Sequence, residues 1–199
     1  MGDTREDILE AATKLFLQRS YDAVSIKDIT EAVGVTKGAL YHHFSSKEEL
    51  FGEVIGREFH AYQIDFGRLP KQSFHVFYRA VYKEMRHFFL EPVAKPDGKD
   101  CGLQFNHFRL IWDAMQVLDG FSRRVGTHFV LEQEAWVEVV GKAVASGELG
   151  SELEPERVAE LFFSASSGCW LRCLMRGQAA EIPTAVLSSW DDLYALLKS

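Results

Sequence analysis

The 199-residue sequence predicts an all-α fold. Three observations lead there. Apolar residues recur with a period near 3.6 from end to end. No alternating β-branched run is bounded by hairpin-turn residues. Ser, Thr, Gly and Pro stand where helices would have to start and stop. Hydrophobic residues make up 47% of the chain, ample for a buried core.

The first helix is expected over residues 5–19, with Ile8, Ala12, Leu15 and Phe16 on one face, until Ser20-Tyr21-Asp22-Ala23 breaks it. Ser25-Ile26-Lys27-Asp28 has the form of a capping box with Asp in the third place, and opens a second helix that turns Ile26, Ile29 and Val33 inward. Gly34 follows at once; lacking a Cβ, it can take the positive φ that a tight turn after a helix demands. Thr36 caps a short third helix, Lys37-Gly38-Ala39-Leu40-Tyr41-His42-His43. Ser46-Lys47-Glu48-Glu49 is a second capping box, and the fourth helix it opens carries a stripe from Leu50 through Phe59 and Tyr62 to Phe66, ended by Gly67 and Pro70.

The fifth helix is expected over residues 73–90, before a loop marked by Pro92, Pro96, Gly98 and Gly102. Phe105, Phe108, Ile111, Trp112 and Met115 belong to a sixth, and Val125, Phe129, Trp136, Val140 and Ala143 to a seventh that stops at Ser146-Gly147. Pro155 suits the first turn of an eighth helix, and a ninth follows Pro183. About nine helices result.

The second and third helices, joined by a Gly-containing turn, have the ingredients of a helix-turn-helix. Leu40 and Ile29 would lock the pair and leave Thr36, Lys37, Tyr41, His42 and His43 facing a major groove and its phosphates. Gly38 and Ala39 are small enough to let the backbone approach DNA. Lys47, at the start of the fourth helix, would form a phosphate clamp with that helix terminus. Net charge is −7, and residues 1–50 hold six Lys and Arg against nine Asp and Glu. From Gly34 to Lys47, however, there is no acid, while Lys37, His42, His43 and Lys47 all fall there. A local basic stripe on an acidic chain predicts weak non-specific DNA affinity.

Across these residues the sequence resembles the tetracycline-repressor (TetR) family. The likeness runs from Thr4-Arg5-Glu6-Asp7-Ile8-Leu9-Glu10-Ala11-Ala12 through Tyr21-Asp22-Ala23-Val24-Ser25-Ile26-Lys27-Asp28-Ile29 and Gly34-Val35-Thr36-Lys37-Gly38-Ala39-Leu40-Tyr41-His42-His43-Phe44 to Ser46-Lys47-Glu48-Glu49-Leu50, about the first quarter of the chain. The resemblance implies a nine-helix dimeric regulator, usually a repressor, released from palindromic operator DNA by a small ligand. It implies that the third helix reads DNA, with Ser25, Thr36, Lys37, Gly38, Ala39, Tyr41, His42, His43 and Lys47 as the DNA-binding set. Thr30 departs from the small Ala common in the family; its hydroxyl can bond back to its own helix.

Residues 1–48 are therefore expected to form the DNA-binding domain and residues 49–199 a helical effector-binding and dimerisation domain. An effector cavity between the fourth to eighth helices would be lined by Phe59, Tyr62, Phe66, Met85, His107, Phe108, Trp112, Met115, Phe129 and Trp136, suiting a small apolar or aromatic ligand. The eighth helix has two apolar stripes, so Phe163, Ser166, Trp170 and Leu174, with Trp190, Tyr194 and Leu197 of the ninth, are expected at a homodimer interface. Aromatic-rich core packing and a regulator controlled by a protein partner are the alternatives.

No H-E-x-x-H, G-x-S-x-G, P-loop or dinucleotide fingerprint occurs, so an enzyme is not expected, nor any cofactor or metal. Cys101, Cys169 and Cys173 form neither an even disulfide framework nor C-x-x-C and read as small buried hydrophobes. The charged N-terminus and the lack of a run near 20 apolar residues point to a cytoplasmic protein with no membrane partner.

Overall fold

The computed structural model describes residues 4–61, 64–90 and 102–198, with the side chains of 60, 61, 87–90, 102–105 and 107 left aside. Among these residues there are nine α-helices: α1 Thr4–Gln18, α2 Ile26–Val33, α3 Lys37–His43, α4 Lys47–Ala61, α5 Phe74–Leu90, α6 Gly102–Val117, α7 Phe121–Ser146, α8 Pro155–Met175 and α9 Ile182–Leu197. Single 3-10 turns, Tyr21–Ala23 and Ala179–Glu181, precede α2 and α9. The helical expectation holds element by element. Three boundaries move: α4 ends at Ala61, with Phe66 buried in the following turn, α6 begins at Gly102 rather than after it, and α9 begins at Ile182, before Pro183. Tyr62 lies outside the described residues.

The chain divides into two compact units. The first is drawn from Met1–Gln63 and Gly102–Arg124 and so holds α1 to α4 together with α6. Its core is Ile8, Leu9, Phe16, Ile29, Leu40, Phe44, Leu50, Phe51 and Val54, all fully buried. Phe51 packs edge-on against Phe16 with ring centroids 4.8 Å apart, and Tyr21 meets the same ring at 4.8 Å. The division of contacts does not follow the expected boundary after residue 48. The reason is polar as much as apolar. Arg109 of α6 donates to the Leu17 carbonyl at 2.8 Å, Asp113 accepts the Tyr21 N–H at 2.8 Å, and Leu110 and Ala114 beside them are buried. A hydrophobic period shows that α6 has an inner face, but not which helices that face meets.

The second unit, drawn from Ile64–Cys101 and Val125–Ser199, contains α5, α7, α8 and α9. Phe74, Phe77, Tyr78, Trp136, Phe162 and Trp190 form a continuous aromatic core, with edge-to-face pairs such as Trp136 and Trp190 at 5.1 Å. The N-terminus of α5 has no acid in its first turn, and one comes from far along the chain. Gly147, at φ 77°, turns the chain after α7 so that the Glu148 carboxylate accepts the N–H groups of Phe74 and His75, each at 2.9 Å. Tyr194 of α9 donates to the same carboxylate at 3.1 Å, which ties three elements together. Pro183 stands in the first turn of α9, as Pro155 does in α8.

Candidate nucleic-acid interface

Two caps set α2 and α3. Ser25 accepts the Asp28 N–H at 3.2 Å while the Asp28 carboxylate accepts the Ser25 N–H at 2.8 Å, a complete capping box. The Ser25 hydroxyl donates to that carboxylate too, and these bonds with Ser25 hold the Asp28 carboxyl below its usual range. Thr30 donates its hydroxyl to the Lys27 carbonyl at 3.0 Å, so the departure from a small residue is satisfied inside its own helix. Gly34 then sits at φ 78°, its N–H bonded to the Thr30 carbonyl. Thr36 accepts the Ala39 N–H at 3.2 Å and starts α3 two residues on.

Leu40 and Ile29 are both fully buried, and Phe44, just past α3, is buried with them. Thr36, Lys37, Gly38, Tyr41 and His42 are exposed, Ala39 and His43 half-buried. Lys37 lies with its ammonium 5.7 Å from the Tyr41 ring centroid, and the His42 and His43 rings meet at 5.2 Å. No acid lies in the first turn of α3. The outward face therefore offers a cation, a phenol, imidazoles and a Cβ-free backbone position, the chemistry needed for phosphate and base-edge contacts. Ser25 is exposed at the α2 start, occupied by its cap.

Lys47 is placed otherwise than the phosphate-clamp reading expects. Its ammonium donates to the carbonyls of Tyr21 at 2.8 Å and Val24 at 2.9 Å, and sits 3.9 Å from the Tyr21 ring centroid. The α4 N-terminus is likewise occupied by the protein's own groups. Ser46 accepts the Glu49 N–H at 3.0 Å, while the Glu49 carboxylate reaches back to the Ser45 N–H and hydroxyl, one residue earlier than a standard capping box. Those bonds lower the Glu49 pKa. With Glu48 also in the first turn, this terminus does not resemble an open anion site.

The residues expected to line an effector cavity fall in both units. In the first, Phe59 is buried edge-on against Phe121 at 5.1 Å, Phe108 and Trp112 are more than half exposed, and Met115 is half-buried. In the second, Phe66 lies near His128, Met85 is buried, Trp136 is enclosed in the aromatic core, and Phe129 is exposed. The His107 side chain, like Tyr62, lies outside what is described. A groove of about 460 Å³ in the first unit is lined by Glu48, Glu49, Gly52, Leu118, Phe121 and Arg124 among others, none of them in the expected effector set.

The expected dimer set needs correction. Trp190 is 3% exposed and donates its Nε1–H to the Phe162 carbonyl at 3.0 Å, so it is core. Phe163, Trp170, Leu174, Tyr194 and Leu197 are half-buried against the same core, and the Ser166 hydroxyl bonds to the Phe163 carbonyl. The exposed apolar side chains of α8 are instead Leu161, Leu171 and Met175, which share one face with Ser164 and Gly168. The face left exposed is not the Phe163, Ser166, Trp170 and Leu174 stripe the sequence pattern singled out, because that stripe packs against the core of its own chain. Cys169 and Cys173 are buried and unpaired, and Cys101 is outside the described residues.

Among the described residues no helix is long and apolar enough to cross a membrane, and no group of three or more His, Cys, Asp or Glu side chains is placed to hold a metal ion. Residues 8–54 match the sequence profile of bacterial regulatory proteins of the tetR family. The chain is 29% identical over 172 residues to the HTH-type transcriptional repressor DhaR of Mycobacterium sp. strain GP1, covering 84% of this chain and 81% of that one. It is 25% identical over 161 residues to the HTH-type transcriptional repressor KstR2 of Mycolicibacterium smegmatis, covering 77% and 71%. In fold it is similar to a TetR-family regulator from Agrobacterium tumefaciens, with TM-score 0.66, 21% identity and 98% of each chain covered. SmeT, the repressor of the Stenotrophomonas maltophilia multidrug efflux pump SmeDEF, superposes with TM-score 0.66 at 18% identity, over 99% of this chain and 91% of that one. The capped α2–turn–α3 unit and these matches together assign residues 8–54 to the tetR family of bacterial regulatory proteins, helix-turn-helix DNA-binding regulators of transcription, and the chain as a whole is similar to such repressors in sequence and fold.

Proposed function

We propose that this chain is a ligand-responsive repressor that binds a pseudo-palindromic operator as a homodimer and leaves it when a small apolar or aromatic effector binds. Residues 1–48 read DNA and residues 49–199 sense and dimerise. The observation that carries the reading is the exposed, acid-free face of α3, capped by Thr36 and locked from behind by the buried Leu40. In the DNA-bound state Lys37, Tyr41, His42 and His43 lie in the major groove and along its phosphates, Gly38 and Ala39 give the backbone its approach, and Thr36 and Ser25 contribute from their helix starts. Lys47 holds the segment before α2 to the start of α4. The two helices of a dimer pair meet through the Leu161, Leu171 and Met175 face of α8. That DhaR, KstR2 and SmeT are named as repressors supports repression as the sign of the response.

The test is selection of duplexes from a random pool by the purified chain, followed by gel shift. A two-fold-symmetric site is expected, with Lys37→Ala and Tyr41→Ala each weakening it. Retention of such a duplex unaltered by both substitutions would remove α3 as the reading helix.

A further inference from the structure

α1 stops at Gln18, although residues 19–24 contain neither Gly nor Pro. One more helical turn would require the Tyr21 N–H to bond to the Leu17 carbonyl, four residues back. Two side chains of α6 take the two halves of that bond instead. The Asp113 carboxylate accepts the Tyr21 N–H at 2.8 Å, and the Arg109 guanidinium donates to the Leu17 carbonyl at 2.8 Å. Arg109 and Asp113 lie one turn apart, so a single face of α6 supplies both the donor and the acceptor. The charge suits its place: α1 has no basic residue in its last turn, and the guanidinium answers the negative end of its dipole. Leu110 and Ala114, next to the pair in the chain, are buried, and this part of α6 packs against α1.

The segment diverted in this way leads directly into α2. Lys47 holds its Tyr21 and Val24 carbonyls, and Arg19 pairs with Asp28 at 3.4 Å. Asp28 is the capping-box acid of α2, and α2 carries α3 across the Gly34 turn with Ile29 and Leu40 buried. The direction in which α2 and α3 leave α1 is therefore set at the bond that α6 divides. Of the two α6 contacts Asp113 makes the more complete, since the Arg109 Nε–H is buried without an acceptor. We infer that Asp113, assisted by Arg109, is a positioning residue for DNA binding. By denying α1 its next turn it fixes the angle at which α2 and α3 leave α1, and in a two-fold dimer that angle sets the half-site spacing the protein accepts. Residues 1–48 do not hold this geometry alone. The inference rests on the reading of α3 as the DNA-facing helix and adds a residue of α6 to its machinery.

The test uses the full chain and the two-fold duplex it selects, together with versions whose half-sites are moved one base pair closer or farther apart. The parent is expected to bind the selected spacing about tenfold more tightly than either shifted duplex. Asp113→Leu, apolar and of similar size, should reduce that preference to about twofold or less, whereas Asp113→Asn, whose side-chain oxygen still accepts the Tyr21 N–H, should keep it. Hydrogen exchange over residues 17–24 is the second readout: protection of the Tyr21 amide should be lost in Asp113→Leu and retained in Asp113→Asn. Arg109→Met, which keeps the stem and removes the donor, takes the place of Asp113→Leu if that chain does not fold, and is expected to reduce the spacing preference in the same sense. A folded variant that binds every duplex as the parent does, or binds all of them more weakly by one common factor, overturns the proposal, because a merely stabilising contact has no reason to distinguish spacings. Lys37→Ala separates this from the reading of α3. If Lys37→Ala weakens binding while the spacing preference survives in the α6 variants, α3 stands and this inference falls. A Lys37→Ala chain that binds as the parent does removes α3 as the DNA-facing helix, and the inference with it.

Discussion

Lys47 and Tyr21 are joined twice: the lysine ammonium donates to the tyrosine's carbonyl oxygen at 2.8 Å and lies 3.9 Å from the centre of its ring. With the Val24 carbonyl as a third partner, this ties the start of α4 to the segment between α1 and α2. A residue that looks in sequence like a phosphate ligand is thus a tie between the start of α4 and the segment that precedes α2.

Lys47→Ala should therefore lower stability by about 1–3 kcal/mol, the usual range for hydrogen bonds to a charged group. It should change the salt dependence of operator binding by less than one unit in slope, whereas Lys37→Ala should reduce that slope by about one. Urea denaturation and fluorescence anisotropy across a salt series measure both. A full unit of slope lost in Lys47→Ala with stability intact would return the residue to the phosphate.

Replacing Leu171 with Glu should yield monomers, because it puts a charge in the middle of the exposed apolar face of α8. Trp190→Glu should instead unfold the second unit, since it buries a carboxylate among Phe162, Tyr78 and Trp136. Sedimentation velocity distinguishes a smaller folded particle from a collapsed one. A Leu171→Glu chain that still sediments as a dimer at micromolar concentration would move the interface elsewhere.

Glu148→Ala should cost about 2–3 kcal/mol, because it leaves the Phe74 and His75 N–H groups and the Tyr194 hydroxyl without their acceptor. Chemical denaturation followed by tryptophan emission is the measurement. A loss below about 0.5 kcal/mol would mean that water replaces the carboxylate at the α5 start.

The Glu132 carboxyl, raised from 4.5 to about 7 in the folded chain, holds its proton more tightly folded than unfolded. Stability from this group is present below about pH 4.5 and is lost as pH rises through 7. Glu132→Gln should therefore melt close to the parent at pH 5 and above it at pH 8, by on the order of 1 kcal/mol once solvent screening of a partly exposed group is allowed for. Thermal melts at the two pH values decide it; equal differences at both would show that the carboxyl titrates normally.

Much of the first unit was legible from residues 1–50 alone. Its caps and turn are local events: Ser25 with Asp28, Gly34 with Thr30, Thr36 with Ala39 are all within four residues of one another. Side-chain oxygens that reach backbone N–H groups three positions away act wherever the chain goes, so order and type of the helices could be read directly. The candidate DNA-facing set was legible for the same reason, as the residues left over once Leu40 and Ile29 turn inward.

Contacts between distant segments were not legible. Periodicity tells which face of a helix is apolar and is silent on what covers it. Only the tertiary structure decided that α6 packs with the N-terminal helices through Arg109 and Asp113, that Lys47 turns in to Tyr21, that Trp190 is core while Leu171 is surface, and that burial raises the Glu132 carboxyl. Each depends on groups 23 or more residues apart or on the shielding that a neighbouring helix provides. Sequence spacing carries local hydrogen bonding, whereas burial and pairing at a distance arise only when the helices have been packed.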